Sequence, residues 1–141
     1  MSNQLPQFQS KDKIKVLLIE DDQPTIDVYK MRFDVADFET IILKRGEEAI
    51  EWAKTCRIKP DIVILDLMLP GINGFEVLKE YKKIERISDV PVMVLTAFAD
   101  SEREKRARQI GVTAYYVKTM LEPKDIVEKV KEIVGSKSKE Y

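Results

Sequence analysis

The sequence predicts an α/β domain: a doubly wound sheet of five parallel strands in the order 2-1-3-4-5, layered between five helices. Three observations carry that prediction. Short runs that are apolar at every position alternate with longer amphipathic stretches, five times over. Apolar runs without alternation mark strands covered on both faces, the building material of parallel sheets. The intervening stretches open on helix-starting residues, and repeated strand-helix units close right-handed into one sheet. For this strand order the binding rim lies outside the carboxyl ends of the first and third strands.

The first strand covers residues 16–19, and the first helix lines Ile26, Tyr29, Phe33 and Ala36 along one side. Pro24 stands near its first helical position. The second strand covers 41–43, and Trp52, among Ala49, Ile50 and Ala53, reads as core packing. The third covers 62–65, between Asp61 and Asp66, and the turn dipeptides Pro70-Gly71 and Asn73-Gly74 follow it. Asn73 is the expected N-cap of the helix opening Gly74-Phe75-Glu76. The fourth strand covers 92–95, and Asp100 is the expected cap of the next helix. There Glu102 with Arg106, and Glu104 with Arg108, make i,i+4 pairs on a solvated or protein-docking face. Interleaved acids argue against nucleic acid on that helix. In the fifth strand, Tyr115-Tyr116-Val117, successive aromatics point to opposite faces. The last helix opens near Pro123 and lines Ile126, Val130, Ile133 and Val134.

A chain of 141 residues makes one domain, burying roughly 68–70% of its extended surface. Residues 1–12, polar and aperiodic, read as a flexible N-terminal tail. The domain spans 13–134, and Gly135 is expected to cap the last helix ahead of a C-terminal tail, 135–141. With 24 Lys+Arg against 25 Asp+Glu there is no net pull toward nucleic acid or an anionic membrane. The chain has no histidine, which removes imidazole acid/base catalysis, His-ligated zinc and phosphohistidine on this chain. The single Cys56 forms no intrachain disulfide and is expected to pack in a helix. With no long apolar run and no signal-peptide pattern, a cytoplasmic location is the expectation.

The chemistry-bearing residues gather where the fold places its rim. The first strand ends in Glu20-Asp21-Asp22, the third in Asp66, the fourth in Thr96-Ala97 and the fifth in Val117-Lys118. Carboxylates brought together raise one another's pKa unless a hard divalent cation shares their charge. Magnesium fits, because it takes oxygen ligands and keeps several waters. Two carboxylates and a carbonyl would then suffice: Asp21, Asp66 and the backbone carbonyl of Met68, with Glu20 through water. Asp66 can supply an attacking oxygen for phosphoryl transfer, and Lys118 and Thr96 can meet the other phosphoryl oxygens. Asp22, just before Gln23-Pro24, is as good a helix cap as a metal neighbour, and is secondary.

Four separated motifs, Ile19-Glu20-Asp21-Asp22, Asp66 through Gly74, Leu95-Thr96-Ala97 and Tyr115-Tyr116-Val117-Lys118, make residues 13–134 resemble the receiver domain of bacterial two-component response regulators. The resemblance implies a flavodoxin-like fold and phosphorylation of Asp66 by a sensor histidine kinase or phosphotransfer protein, with magnesium bound. It also implies that Thr96 and Tyr115 form a switch that remodels a face made by the fourth helix, fifth strand and fifth helix, where a downstream protein docks. Such a chain is a signalling domain, not a turnover enzyme. It departs from the family in having Thr119, where proline usually follows the lysine in a cis peptide. Either a trans peptide with a reshaped loop or a strained exception is expected there. Two alternatives stay open: a receiver-like docking module without phosphorylation, and an Asp-nucleophile, magnesium-dependent phosphatase. The second is disfavoured, because Met68 stands where that class needs an aspartate. With no output domain after residue 134, the chain reads as a stand-alone receiver or as a piece of a longer regulator.

Overall fold

A computed structural model describes residues 5–138. In order along the chain lie β1 (Lys15–Ile19), α1 (Gln23–Val35), β2 (Glu39–Leu43), α2 (Gly46–Thr55), β3 (Ile62–Leu65), α3 (Gly74–Lys83), β4 (Val92–Thr96), α4 (Ser101–Ile110), β5 (Ala114–Val117), a 3₁₀ turn (Lys118–Met120) and α5 (Pro123–Ser138). The strands form one parallel sheet in the order β2-β1-β3-β4-β5, as the sequence predicts.

Every residue of β1, β3 and β4 is buried, because the sheet carries an apolar layer on each face. Leu17, Ile19, Val63, Leu65 and Val94 pack with Trp52, Val77, Leu78 and Tyr81. Val16, Leu18, Ile62, Ile64 and Met93 pack with Phe33, Ile126 and Val130. Side-chain caps start α1, α3 and α4: Asp22 accepts from the Thr25 amide, Asn73 from that of Glu76, and Asp100 from those of Glu102 and Arg103. Each cap satisfies an amide that the first helical turn would leave unpaired.

Four expectations need correction. The tail expected over residues 1–12 is, from Leu5 on, packed chain. Phe8 is buried edge-on to Trp52 at 5.8 Å, and the Trp52 indole donates to the Pro6 carbonyl at 2.6 Å. The Gln9 and Ser10 amides share the Glu39 carboxylate, both at 2.9 Å. Residues 1–4 lie outside the described residues. Gly135 does not end the last helix, which runs on to Ser138; the rest of the expected tail, 139–141, is likewise outside them. Arg106 lies over the Phe75 ring, 4.2 Å from its centroid, whereas the Glu104–Arg108 pair forms at 3.0 Å. An aromatic face beside apolar packing offers the guanidinium more than a solvated carboxylate does. Cys56 is fully buried, but just past the end of α2, in extended backbone.

Candidate functional site

Parallel pairing continues one rung beyond the strands and sets the site. The Glu20 amide donates to the Leu43 carbonyl and the Asp66 amide to that of Ile19, each at 3.0 Å. Two carboxyl-bearing residues are thereby fixed to adjacent strands at one rim. Glu20 and Asp66 are 1% and 6% exposed, and Asp21 is exposed. One carboxylate oxygen from each of Glu20, Asp21 and Asp66 falls within 4.8 Å of the others. An all-oxygen set of this kind, part buried and part open to water, fits a hard divalent cation that keeps water ligands.

Lys118 closes the cluster from the 3₁₀ turn after β5. Its ammonium lies 2.5 Å from Glu20 Oε1 and 3.2 Å from Asp66 Oδ2. Among the described residues there is no cis peptide, so the chain passes from Lys118 to Thr119 in trans and turns through the 3₁₀ segment. Burial pushes the Glu20 carboxyl up to about 7; the Lys118 hydrogen bond opposes this shift and the Asp66 charge adds to it. For Lys118 burial works downward, yet its bond to Glu20 and the charges of Asp66 and Glu20 prevail and hold it above the ordinary lysine range.

The loop after β3 grips Asp66 from below. The Met68 amide donates to Asp66 Oδ1 at 2.9 Å. A Cβ on Gly74 would stand 2.4 Å from the Leu67 Cα and 2.6 Å from the Asp66 carbonyl oxygen, so only glycine lets α3 begin this close. Gly71, at φ +73°, makes the turn that precedes it. Asp22 is the cap of α1, its carboxylate engaged by the Thr25 amide at 3.1 Å and the Thr25 hydroxyl at 2.5 Å.

Thr96 ends β4, two residues past Val94, which pairs with Leu65. It is fully buried, and its hydroxyl has no hydrogen-bond partner. Tyr115 is the buried member of the tyrosine pair and its hydroxyl is likewise unpartnered, whereas Tyr116 is half-buried under Lys129. Sequence reasoning named both residues but missed that their hydroxyls are orphaned. It also missed the Gly74 approach, for which a glycine directly after an N-capping asparagine was the available signal.

Comparison with known proteins agrees with this geometry. Residues 16–131 match the response regulator receiver domain family. The polar-differentiation response regulator DivK of Brucella anthropi is 32% identical over 120 residues, covering 85% of this chain and 95% of that protein. A response regulator structure from Chloroflexus aurantiacus superposes with a TM-score of 0.79 at 27% identity, over 88% of this chain and 99% of that one. The receiver domain of the sensor histidine kinase PA1611 of Pseudomonas aeruginosa, with magnesium in its active-site cleft, has the same fold: TM-score 0.78 at 22% identity, over 87% of this chain and 98% of that one. Five parallel strands in this order, an acidic strand-end cluster with its lysine, and a family match over most of the length lead to one conclusion: the chain belongs to the receiver domains of two-component response regulators.

Proposed function

We propose that this receiver is a phosphorylation-controlled switch in which Asp66 accepts a phosphoryl group from the histidine of a sensor kinase or phosphotransfer protein. The donor histidine lies outside these 141 residues, which contain none. As the Asp66 oxygen bonds to phosphorus, the bond from phosphorus to the donor imidazole nitrogen breaks. The imidazole keeps the electron pair, and an acyl phosphate forms. A magnesium ion held by Asp21, Asp66 and the Met68 carbonyl, with Glu20 through water, would supply charge compensation for the phosphoryl oxygens. Lys118 faces the same oxygens, and the Met68 amide keeps Asp66 aimed. The observation that carries this reading is the convergence of three carboxylates within 4.8 Å beside one ammonium.

The orphaned Thr96 hydroxyl supports the switch. A buried hydroxyl without a partner costs about 1–3 kcal/mol, and a phosphoryl oxygen on Asp66 offers it one. The already buried Tyr115 ring repacks with it, altering the face of α4, β5 and α5 on which a downstream protein docks. Each tenfold change in the active-to-inactive ratio takes about 1.4 kcal/mol, within the reach of one such bond. A cleft of about 270 Å³ between Pro24, Val28, Tyr29 and Pro123 opens beside Lys118, and the exposed Met120 lies close by in sequence, which suits an apolar donor protein. Among the described residues no helix is long and apolar enough to cross a membrane. The cytoplasm, where sensor kinases present their phosphohistidines, is the proposed location.

The test is intact-mass measurement after incubation with magnesium and acetyl phosphate. Wild type should gain one hydroxylamine-labile phosphoryl group, and Asp66→Asn none. A wild type that neither gains the group nor binds magnesium would leave a docking module; turnover of many phosphoesters would mean a phosphatase.

A further inference from the structure

The opposite end of the sheet carries a cleft that the acidic rim does not involve. It encloses about 460 Å³ and is lined by Lys11, Lys13, Lys15 and Lys131, with Asp12 and Asp61. Lys15 is the one buried lysine of the lining. As the first residue of β1 it is 7% exposed, and its amide is fixed to Asp61 Oδ2 at 2.8 Å. Its ammonium makes one hydrogen bond, to the Lys13 carbonyl at 3.2 Å, and among the described residues no carboxylate pairs with it. Its other two donors have no protein partner among the described residues.

The walls supply part of the opposing charge, since Asp12 and Asp61 line the cleft along with the lysines. Asp61 keeps its charge while it accepts from the Lys15 amide, and Lys13 is paired with Asp37 at 3.0 Å, so Lys11, Lys15 and Lys131 still outnumber the two aspartates of the lining. Lys11 and Lys131 line the cleft without a carboxylate partner among the described residues. Cations reach this space from the segment before β1, from β1 itself and from α5, three directions around one concavity. Ammonium groups are compact point charges, and groups converging from several sides suit an anion with many oxygens rather than a flat carboxylate. The cleft is too small for a nucleic acid duplex.

We infer that this foot cleft binds a small phosphate-bearing anion, with Lys15 as the central contact and Lys131 and Lys11 closing over it. Free polyphosphate and a nucleoside diphosphate share that chemistry. The test is a ¹H–¹⁵N NMR titration of the full chain with pyrophosphate, and separately with ADP, at constant ionic strength and in EDTA to silence the acidic rim. Saturable shifts are expected at residues 11–15, 61 and 131. Lys15→Met, which keeps the aliphatic stem, should weaken binding about tenfold or more, and Lys131→Ala severalfold. Asp66→Asn should bind as wild type, separating this site from the phosphoacceptor chemistry. Tighter binding of ADP identifies a nucleotide as the source, and equal binding identifies the phosphates alone. Shifts reproduced by sodium sulfate or chloride, no saturation at about tenfold above typical millimolar metabolite levels, or full affinity in both lysine variants would overturn the inference.

Discussion

Glu20 is the residue on which burial and charge pull hardest. Burial pushes its carboxyl from the ordinary 4.5 of the unfolded chain up to about 7 in the folded protein. Between those values the folded state keeps a proton that the unfolded state has released, so stability falls as pH rises through that window. Below 4.5 the difference vanishes, and above 7 the penalty is constant, at most about 3 kcal/mol. Urea unfolding in EDTA should show wild type losing stability from pH 5 to pH 8 relative to Glu20→Gln, which lacks the titrating group. A parallel pH dependence in the two proteins would mean that the carboxyl is ionised throughout. Tyr81 illustrates the same rule without a site: its phenol, held by the Ala49 carbonyl at 2.6 Å, is pushed far up by burial. Its phenolate absorbance should therefore appear only on alkaline unfolding.

Two elements carry the next predictions. Gly74→Ala sets a methyl against the backbone of Asp66 and Leu67, neither of which can turn aside like a flexible side chain. It should cost about 1–3 kcal/mol in urea unfolding and slow phosphorylation by acetyl phosphate, because the loop that aims Asp66 must move. The segment 5–10 is the other. Phe8→Ala should cost about 2–4 kcal/mol, less than an enclosed phenylalanine can, since a terminal strap is able to detach. Trp52 is the chain's one tryptophan, so its emission should shift to the red as the strap leaves; unchanged emission would mean the ring is shielded by α2 and the sheet alone. The strap also shows where the sequence was hard to read. Strands 62–65 and 92–95 were legible from their apolar runs, because both faces of a central strand must be. β2 starts at Glu39, ahead of its apolar run, since an edge strand tolerates half-exposed Glu39 and Thr40. Phe8 stood alone among glutamines, and one aromatic without a period gives no signal. Gly135 was read as a stop, yet around the place its Cβ would occupy there is open space and the helix simply continues. The rim carboxylates and Lys118 were legible because strand ends converge by topology. Orphaned hydroxyls depend on every neighbouring atom and were not.

At the scale of the molecule, two apolar layers share one sheet, so neither folds without the other. Phe33, fully buried against Tyr29 and Phe38 on the α1 side, is far from Trp52 on the other layer. Phe33→Ala should cost about 3–5 kcal/mol, and Trp52 emission and far-ultraviolet dichroism should still report a single coincident transition. Separate midpoints would show the layers to be independent. The net charge of -1 also conceals polarity: three carboxylates with one lysine gather at one end of the sheet, and four lysines with two aspartates line the cleft at the other. The extra rung that ties the amides of Glu20 and Asp66 to the carbonyls of Leu43 and Ile19 divides the upper end in two. Those two amides should be among the slowest in the protein to trade hydrogen for deuterium, while Thr119 and Met120, in a short turn beyond the sheet's far edge, trade quickly. The rim thus has a stiff bank that holds the carboxylates and a pliant bank that holds the lysine, and rearrangement belongs to the second.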